Sequence, residues 1–236
     1  MSIIAKSLSR ENEVLETLEK IVNSALDFTL VGGYAVAARG RHRYSVDCDI
    51  VAAELREFRK LLEREGYRIE EHSNALHGVY GGKSYKFIKD VSGNEVSVDI
   101  FVGSLVIRQT EATWSFKYLR RYSSQTEVLG IQKAVRNVMV LDKEMLIATK
   151  IHPARLQDIQ DIVMLVDKVD WSEVAVHTKR GRLDEVKKQI GFILSKLEDP
   201  KLRSDLKSQF GVKEDIENEL ARTRKGLKLV LDSILK

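Results

Sequence analysis

The strand-type alternation of this chain is confined to residues 28–140, and that limit constrains the fold more than any other feature. Between residues 28 and 140, apolar residues alternate with polar ones in short runs: Phe28 to Val31, Val46 to Ala52, Lys83 to Val91 and Glu95 to Val102. A period of two puts successive side chains on opposite faces of a strand. From residue 143 onward the apolar residues recur at three- and four-residue intervals, which is helical spacing. Strands thus gather in the first part and helices in the second. The expected class is α/β in the broad sense (α+β): a mixed sheet flanked by helices, followed by a helical C-terminal region. The corresponding division is a catalytic domain over 1–140 and a helical domain over 141–236.

Local signals fill in the order. Val14, Leu15, Leu18, Ile21, Val22 and Leu26 predict a helix over 10–26. Tyr34 to Arg39 and Glu54 to Glu65 predict two more, the second stopped by Gly66. Tyr67 to Glu71 and Leu76 to Tyr80 read as strands. Ser92-Gly93-Asn94 marks a hairpin between the long alternating runs. Thr126 to Leu129 and Ala134 to Val140 read as edge strands. Lys143 to Lys150 is helical, and Pro153 breaks or restarts a helix running to about Val169. Helices over about 183–197 and 213–235 flank a break near Pro200.

Several function classes drop out early. No run of about 18 apolar residues is present, so no transmembrane helix is expected. The start, MSIIAKSLSRENE, turns acidic too soon for a signal peptide, and a cytoplasmic protein is expected. Cys48 is the single cysteine, which removes a disulfide framework. His42, His72, His77, His152 and His177 show no zinc-ligand spacing. The net charge of +4 falls in residues 171–236, which hold 15 Lys+Arg against 11 Asp+Glu; the first 170 residues balance at 24 against 24. A basic C-terminal third suits a polyanion, although a solvated helical face has the same composition.

The chemistry-bearing residues are carboxylates. In Val46-Asp47-Cys48-Asp49-Ile50, Val46, Cys48 and Ile50 share the core face, and Asp47 and Asp49 share the other, with their Cα atoms roughly 7 Å apart. Like charges held this close call for a cation between them. In Glu95 to Val102, Val96, Val98, Ile100 and Val102 face the core and Asp99 lies opposite. If the two strands neighbour each other, three carboxylates converge on a site for two metal ions. Taken alone, Asp47 and Asp49 are equally the wet side of a half-buried strand, and Asp99 reads more readily that way. Phe28 to Ala35 reads as strand, Gly32-Gly33 turn, helix start. Backbone N–H groups at such a turn form an anion site, although a glycine pair is by itself more often a structural turn.

Together, Gly32-Gly33, thirteen intervening residues, Asp47-x-Asp49 and the later Asp99 resemble the signature of the polymerase β-type nucleotidyltransferases. The finer pattern Gly32-Gly33-x-Ala35, Gly40, Arg43, Ser45, Asp47, Asp49 is similar to the AbiEii-like branch, which contains abortive-infection and toxin–antitoxin proteins. Where many superfamily members have Gly-Ser, this chain has Gly33, which keeps the backbone donor and lacks the hydroxyl. A second stretch, Lys150, Arg155, Asp158 and Asp161, also resembles that branch in its K-x4-R-x2-D-x2-D spacing. The resemblance implies a polymerase β-like fold, a nucleotide seated by Gly32, Gly33, Arg43, Ser45 and Lys150, and metal held by Asp47, Asp49 and Asp99. Asp158 or Asp161 would brace the site. From spacing alone, Asp158 and Asp161 share a helix face beside an apolar stripe of Leu156, Ile159, Val163 and Val166; with Arg155 they read equally as a surface ion-pair ladder.

The activity implied is transfer of a nucleoside monophosphate from a triphosphate such as ATP to an acceptor hydroxyl, with two Mg2+ ions. RNA (tRNA above all), protein and small antibiotics are all acceptors in keeping with the resemblance, and a cognate antitoxin is an expected partner if the chain is a toxin. A catalytically silent nucleotide- or RNA-binding module is the remaining alternative. Three basic stretches favour RNA: Lys117, Arg120 and Arg121 with Phe116 and Tyr118; Lys179-Arg180-Gly181-Arg182; and Arg222-Thr223-Arg224-Lys225.

Overall fold

The computed structural model describes residues 3–41, 44–70, 79–210 and 216–236. Helix α1 (Ile3–Asn23) begins earlier than its apolar spacing predicts and buries Val14, Leu15, Leu18 and Ile21. Strand β1 (Phe28–Val31) runs directly into α2 (Gly32–Arg39). Then come β2 (Asp47–Ala52), α3 (Arg56–Arg64), the short β3 (Arg68–Ile69) and the hairpin of β4 (Tyr80–Asp90) with β5 (Glu95–Ile107). The expected strand at 76–80 lies largely outside the described residues. Its end, Tyr80, opens β4.

Neither β6 (Ala112–Ser115) nor α4 (Phe116–Arg121) was anticipated. Ser115 caps α4, its side chain accepting from the Tyr118 amide. Strands β7 (Ser123–Leu129) and β8 (Ala134–Leu141) follow. The helices are α5 (Lys143–Ile151), α6 (Leu156–Leu165), α7 (Trp171–Thr178), α8 (Leu183–Lys196), α9 (Pro200–Phe210) and α10 (Glu217–Leu235). Pro200 opens α9 and does not merely interrupt the chain, because proline lacks only an N–H that a first helical turn leaves unpaired.

The sheet is open and mixed, in the order β3-β4-β5-β2-β1-β8-β7, with β6 added to β5. This is the fold class the sequence pattern predicts. One expectation changes: β7 is an edge, but β8 is internal, pairing in parallel with β1 and antiparallel with β7. The site depends on the sheet centre. There β2 pairs in parallel with β5, with Asp49 opposite Asp99 and Asp47 opposite Ser97. On its other side, β2 pairs antiparallel with β1, with Asp49 opposite Val31. Val31 therefore delivers Gly32 beside the Asp49 carboxylate.

One buried apolar cluster runs from Leu30, Ile50, Val98 and Ile100 in the sheet to Ile147, Ile162, Val174, Ile190 and Leu227 in the helices. Arg39 ties the end of α2 to the sheet, donating to the carbonyls of Val140 and Leu141 and pairing with Asp142 at 3.1 Å. No helix among the described residues is long and apolar enough to cross a membrane.

Candidate active site

The site begins at the β1–α2 junction. Gly32 has φ +67°, and a Cβ placed there would overlap the Asp49 carboxylate, with its Cγ only 2.6 Å away. Glycine is required on both counts. Val31, the residue before α2, provides no side-chain cap, so the first amides of the helix are left to other partners. Gly32 and Gly33 line a cavity of about 220 Å³ together with Ser45, Asp47, Asp49, Asp99, Lys150 and Arg155. Most of the residues singled out from the sequence are thus brought to one place. Arg43 lies outside the described residues. The loop before β2 is held by the Tyr34 hydroxyl, which donates to the Ser45 carbonyl at 2.8 Å.

The three carboxylates differ in their surroundings. Asp47 is the most exposed and accepts from the Ser97 hydroxyl at 2.9 Å. Asp49 lies against the Gly32 backbone. Asp99 is buried, and its Oδ1 has no hydrogen-bond partner. Burial, reinforced by the neighbouring Asp49, raises the Asp99 carboxyl to about 8, although Lys86 opposes the shift. Among the described residues, no three His, Cys, Asp or Glu side chains are grouped so as to hold a metal ion as they stand. The donor set nevertheless suits a hard divalent cation: three carboxylates line one cavity, and one of them, Asp99, carries an unsatisfied buried oxygen.

A second layer stands beside them. The chain leaves α5, passes Pro153 and Ala154, whose φ is +49°, and restarts as α6 at Leu156. The left-handed residue turns the backbone so that Lys150 and Arg155 flank one carboxylate. Lys150 Nζ lies 3.1 Å from Asp158 and 2.8 Å from Asp161. Arg155 grips Asp158 through Nε at 2.7 Å and a terminal nitrogen at 3.1 Å, and its own amide donates to the same carboxylate. Both aspartates are fully buried, which rules out a surface ion-pair ladder. Burial alone would lower the Lys150 ammonium, but Asp161 and Asp158 outweigh it and hold it above the ordinary lysine range. Burial likewise works against the Asp158 carboxylate, and Lys150 with Arg155 brings it below the usual range.

This arrangement separates the roles of the two cations. Lys150 is enclosed and matched by two acids. Arg155 keeps 43% of its side chain exposed and reaches the cavity with one face near the Tyr80 ring. The apolar stripe of α6 is mostly as expected, with Ile159, Val163 and Val166 buried, but Leu156 faces solvent at the first turn.

Sequence reasoning missed Tyr80, Lys86 and Gln157, which also line the cavity. Lys86 sits opposite Asp99 across the β4–β5 pair. Hairpin register is what places it there, and a lysine in an alternating strand carries no separate signal.

No protein-family model matches the chain, and no curated protein sequence matches it significantly. Solved structures do align along most of its length. JHP933 from Helicobacter pylori superposes over 97% of this chain and 93% of its own, with a TM-score of 0.51 at 13% identity. This chain shares the JHP933 fold. A second H. pylori protein, described only provisionally as a nucleotidyltransferase, covers 100% of this chain and 98% of its own, with a TM-score of 0.49 at 14% identity. A STING-associated CdnE c-di-GMP synthase from Capnocytophaga granulosa covers 98% and 82%, with a TM-score of 0.24 at 10% identity. The last two are too distant to argue from. At these identities the likeness concerns the fold alone.

Proposed function

We propose that this chain is a nucleotidyltransferase that moves a nucleoside monophosphate from a triphosphate to an acceptor hydroxyl and releases pyrophosphate. The observation that carries this reading is the register of the central strands. It puts Asp49 beside Asp99 at the point where Gly32 starts a helix, with Arg155 on the cavity wall. Anion donors, carboxylates and a guanidinium converge on one cavity, which is what a polyphosphate carried with divalent ions requires.

Asp47, Asp49 and Asp99 would hold the ions, Mg2+ being the natural choice for carboxylates plus phosphate oxygens. Bound there, they would supply charge neutralisation at the phosphates and acidify the acceptor hydroxyl. The α2 amides and Arg155 would orient the triphosphate, and Ser45 would stand at the rim. The acceptor oxygen forms a bond to the α-phosphorus as the bond to pyrophosphate breaks. Asp99, facing the cavity, takes the hydroxyl proton. Lys150, Asp158 and Asp161 hold Arg155 and the start of α6 in position.

The acceptor in this reading is RNA, with tRNA a natural candidate, since the net positive charge lies in the last third of the chain. A toxin role with a cognate antitoxin belongs to the same reading. The test is incubation with each α-labelled triphosphate and total RNA, with and without magnesium. Label is expected in RNA only with magnesium, and neither Asp49→Asn nor Asp99→Asn should transfer it. Transfer that survives in both variants would overturn the assignment.

A further inference from the structure

The basic stretches of the C-terminal third have unequal fates in the fold. Arg182 pairs with Glu111 and Glu185, Arg224 pairs with Glu198, and Arg180 stacks over the Tyr118 ring at 4.1 Å. These cations are occupied internally. Lys168 and Lys225, in contrast, have no acid within ion-pair distance among the described residues. Both line a second cavity, between the segment after α6 and the middle of α10.

That groove has a volume of about 450 Å³, within the range that holds a small ligand or a nucleotide unit. Trp171 forms one wall. Its indole lies against α10 at Gly226, where a Cβ would come within 2.5 Å of Cζ2, so the glycine is what lets an aromatic ring rest on the helix backbone. Leu229, 43% exposed, adds an apolar shelf. Arg222 completes the cationic rim and is held by Asp167 at 3.3 Å. Three cations thus face one acid beside an indole and an aliphatic side chain. A phosphodiester offers the charge for the first and its base the flat surface for the second.

We propose that this groove binds a single-stranded segment of the acceptor RNA, with a base against Trp171 and its phosphates on Lys168, Lys225 and Arg222. The inference deepens the proposed function and rests on that reading for the acceptor's identity. Helix α6 links the two sites: Arg155 and Asp158 stand at its start, and the groove opens just past its end. Its ten residues give about 15 Å along the axis, a span that a few nucleotides of extended strand bridge. An acidic peptide would satisfy the cations and leave the indole unused, which is why RNA is the favoured occupant.

The experiment uses the full chain and a fluorescein-labelled oligouridylate of about twelve nucleotides, titrated at low and moderate salt. Wild-type binding should weaken as salt rises, because phosphate contacts release counterions. Lys168→Glu and Lys225→Glu, both at exposed positions, should each raise the dissociation constant at least about tenfold, with magnesium–nucleotide binding at the first cavity unchanged. Trp171→Phe should keep the fold and weaken binding less. The proposal is overturned if wild type does not bind at low salt, if both charge reversals bind like wild type, or if polyglutamate binds more tightly and displaces the RNA, which would indicate a protein partner. Transfer is scored separately. Charge reversals that abolish binding in a protein that labels no RNA would uphold the groove and remove RNA as the acceptor of transfer. Labelling of RNA with an unchanged KM in both variants would remove the groove and leave transfer standing.

Discussion

Gly32 and Asp49 occupy space that only a glycine allows them to share: any side chain at residue 32 would run into the Asp49 carboxylate. The backbone adds a second constraint, since φ at Gly32 is +67°. Gly32→Ala should therefore cost roughly 1–3 kcal/mol of stability through strain and should displace Asp49 from the cavity. Denaturant unfolding together with a transfer assay checks this. Wild-type stability and rate in the alanine variant would mean that Asp49 is not seated against this turn.

Lys150 is expected to act chiefly as a structural cation. It is enclosed between Asp158 and Asp161, at 3.1 and 2.8 Å. Lys150→Ala would leave Asp158 with Arg155 and take the ammonium away from buried Asp161, and should destabilise the protein by roughly 3–5 kcal/mol, as is usual when one partner of a buried pair is removed. Calorimetry on the variant tests this. An unchanged Tm would show that the pairing contributes nothing.

Arg155 should behave differently. Its guanidinium is partly exposed at the cavity, while Asp158 retains Lys150 as a partner when Arg155 is gone. Arg155→Gln is expected to weaken triphosphate binding at least about tenfold, on the order of 1.4 kcal/mol, with a smaller loss of Tm than Lys150→Ala. Isothermal titration with each triphosphate, beside a melting curve, separates the two effects. If the order of the two variants is reversed, the roles assigned here are exchanged.

Magnesium should stabilise the protein through Asp99. The carboxylate is buried beside Asp49 with one oxygen unsatisfied, so its charge is costly without a cation. Asp99→Asn should leave the metal-free protein as stable as wild type or more so, and should abolish the rise in Tm on adding magnesium. Equal magnesium-dependent shifts in both proteins would place the ion elsewhere.

His152 should make the fold acid-sensitive. It is fully buried, its Nδ1 lies 2.6 Å from the Thr110 hydroxyl, and Trp114 packs edge-on against it. Burial drives the imidazole from its usual 6.5 down to about 3, and Arg180 pushes the same way. In the window from about 6.5 down to 3, the unfolded chain takes up a proton that the native state refuses. Stability is then fully present above 6.5 and is lost as pH falls, at roughly 1.4 kcal/mol per pH unit for one such group. His177, also lowered by burial, contributes with the same sign. His152→Gln should flatten the dependence of unfolding free energy on pH between 6.5 and 4.5 without removing it. An equally steep profile in the variant would exclude His152 as its source.

Most of the elements, and the chemistry carried on them, are legible in local pattern alone. Alternation placed Asp47 and Asp49 on one strand face and Asp99 on the face opposite its core residues. The glycine pair marked the turn between β1 and α2, and helical spacing located α5, α8 and α10. Those are local properties, set by the period of the backbone and the preference of apolar side chains for one side. The sequence was less legible where elements are short or where several helices follow one another. Strand β6 and helix α4 have too few residues to show a period, and α6 and α7 are separated by a short turn at 166–170 that does not interrupt the apolar pattern.

Which residues meet depends on long-range packing. Strand pairing put Asp49 beside Asp99 and Lys86 opposite Asp99, because register depends on partners far along the chain. Packing of α6 turned an apparent surface ladder into a buried network, since charge spacing on a helix does not say which face is covered. The same holds for the basic stretches: Arg182 found Glu111 and Arg224 found Glu198, whereas Lys225 was left beside Trp171, where Lys168 joins it from outside those stretches. Composition measures how much charge a segment carries. Whether that charge is available is settled by what folds against it.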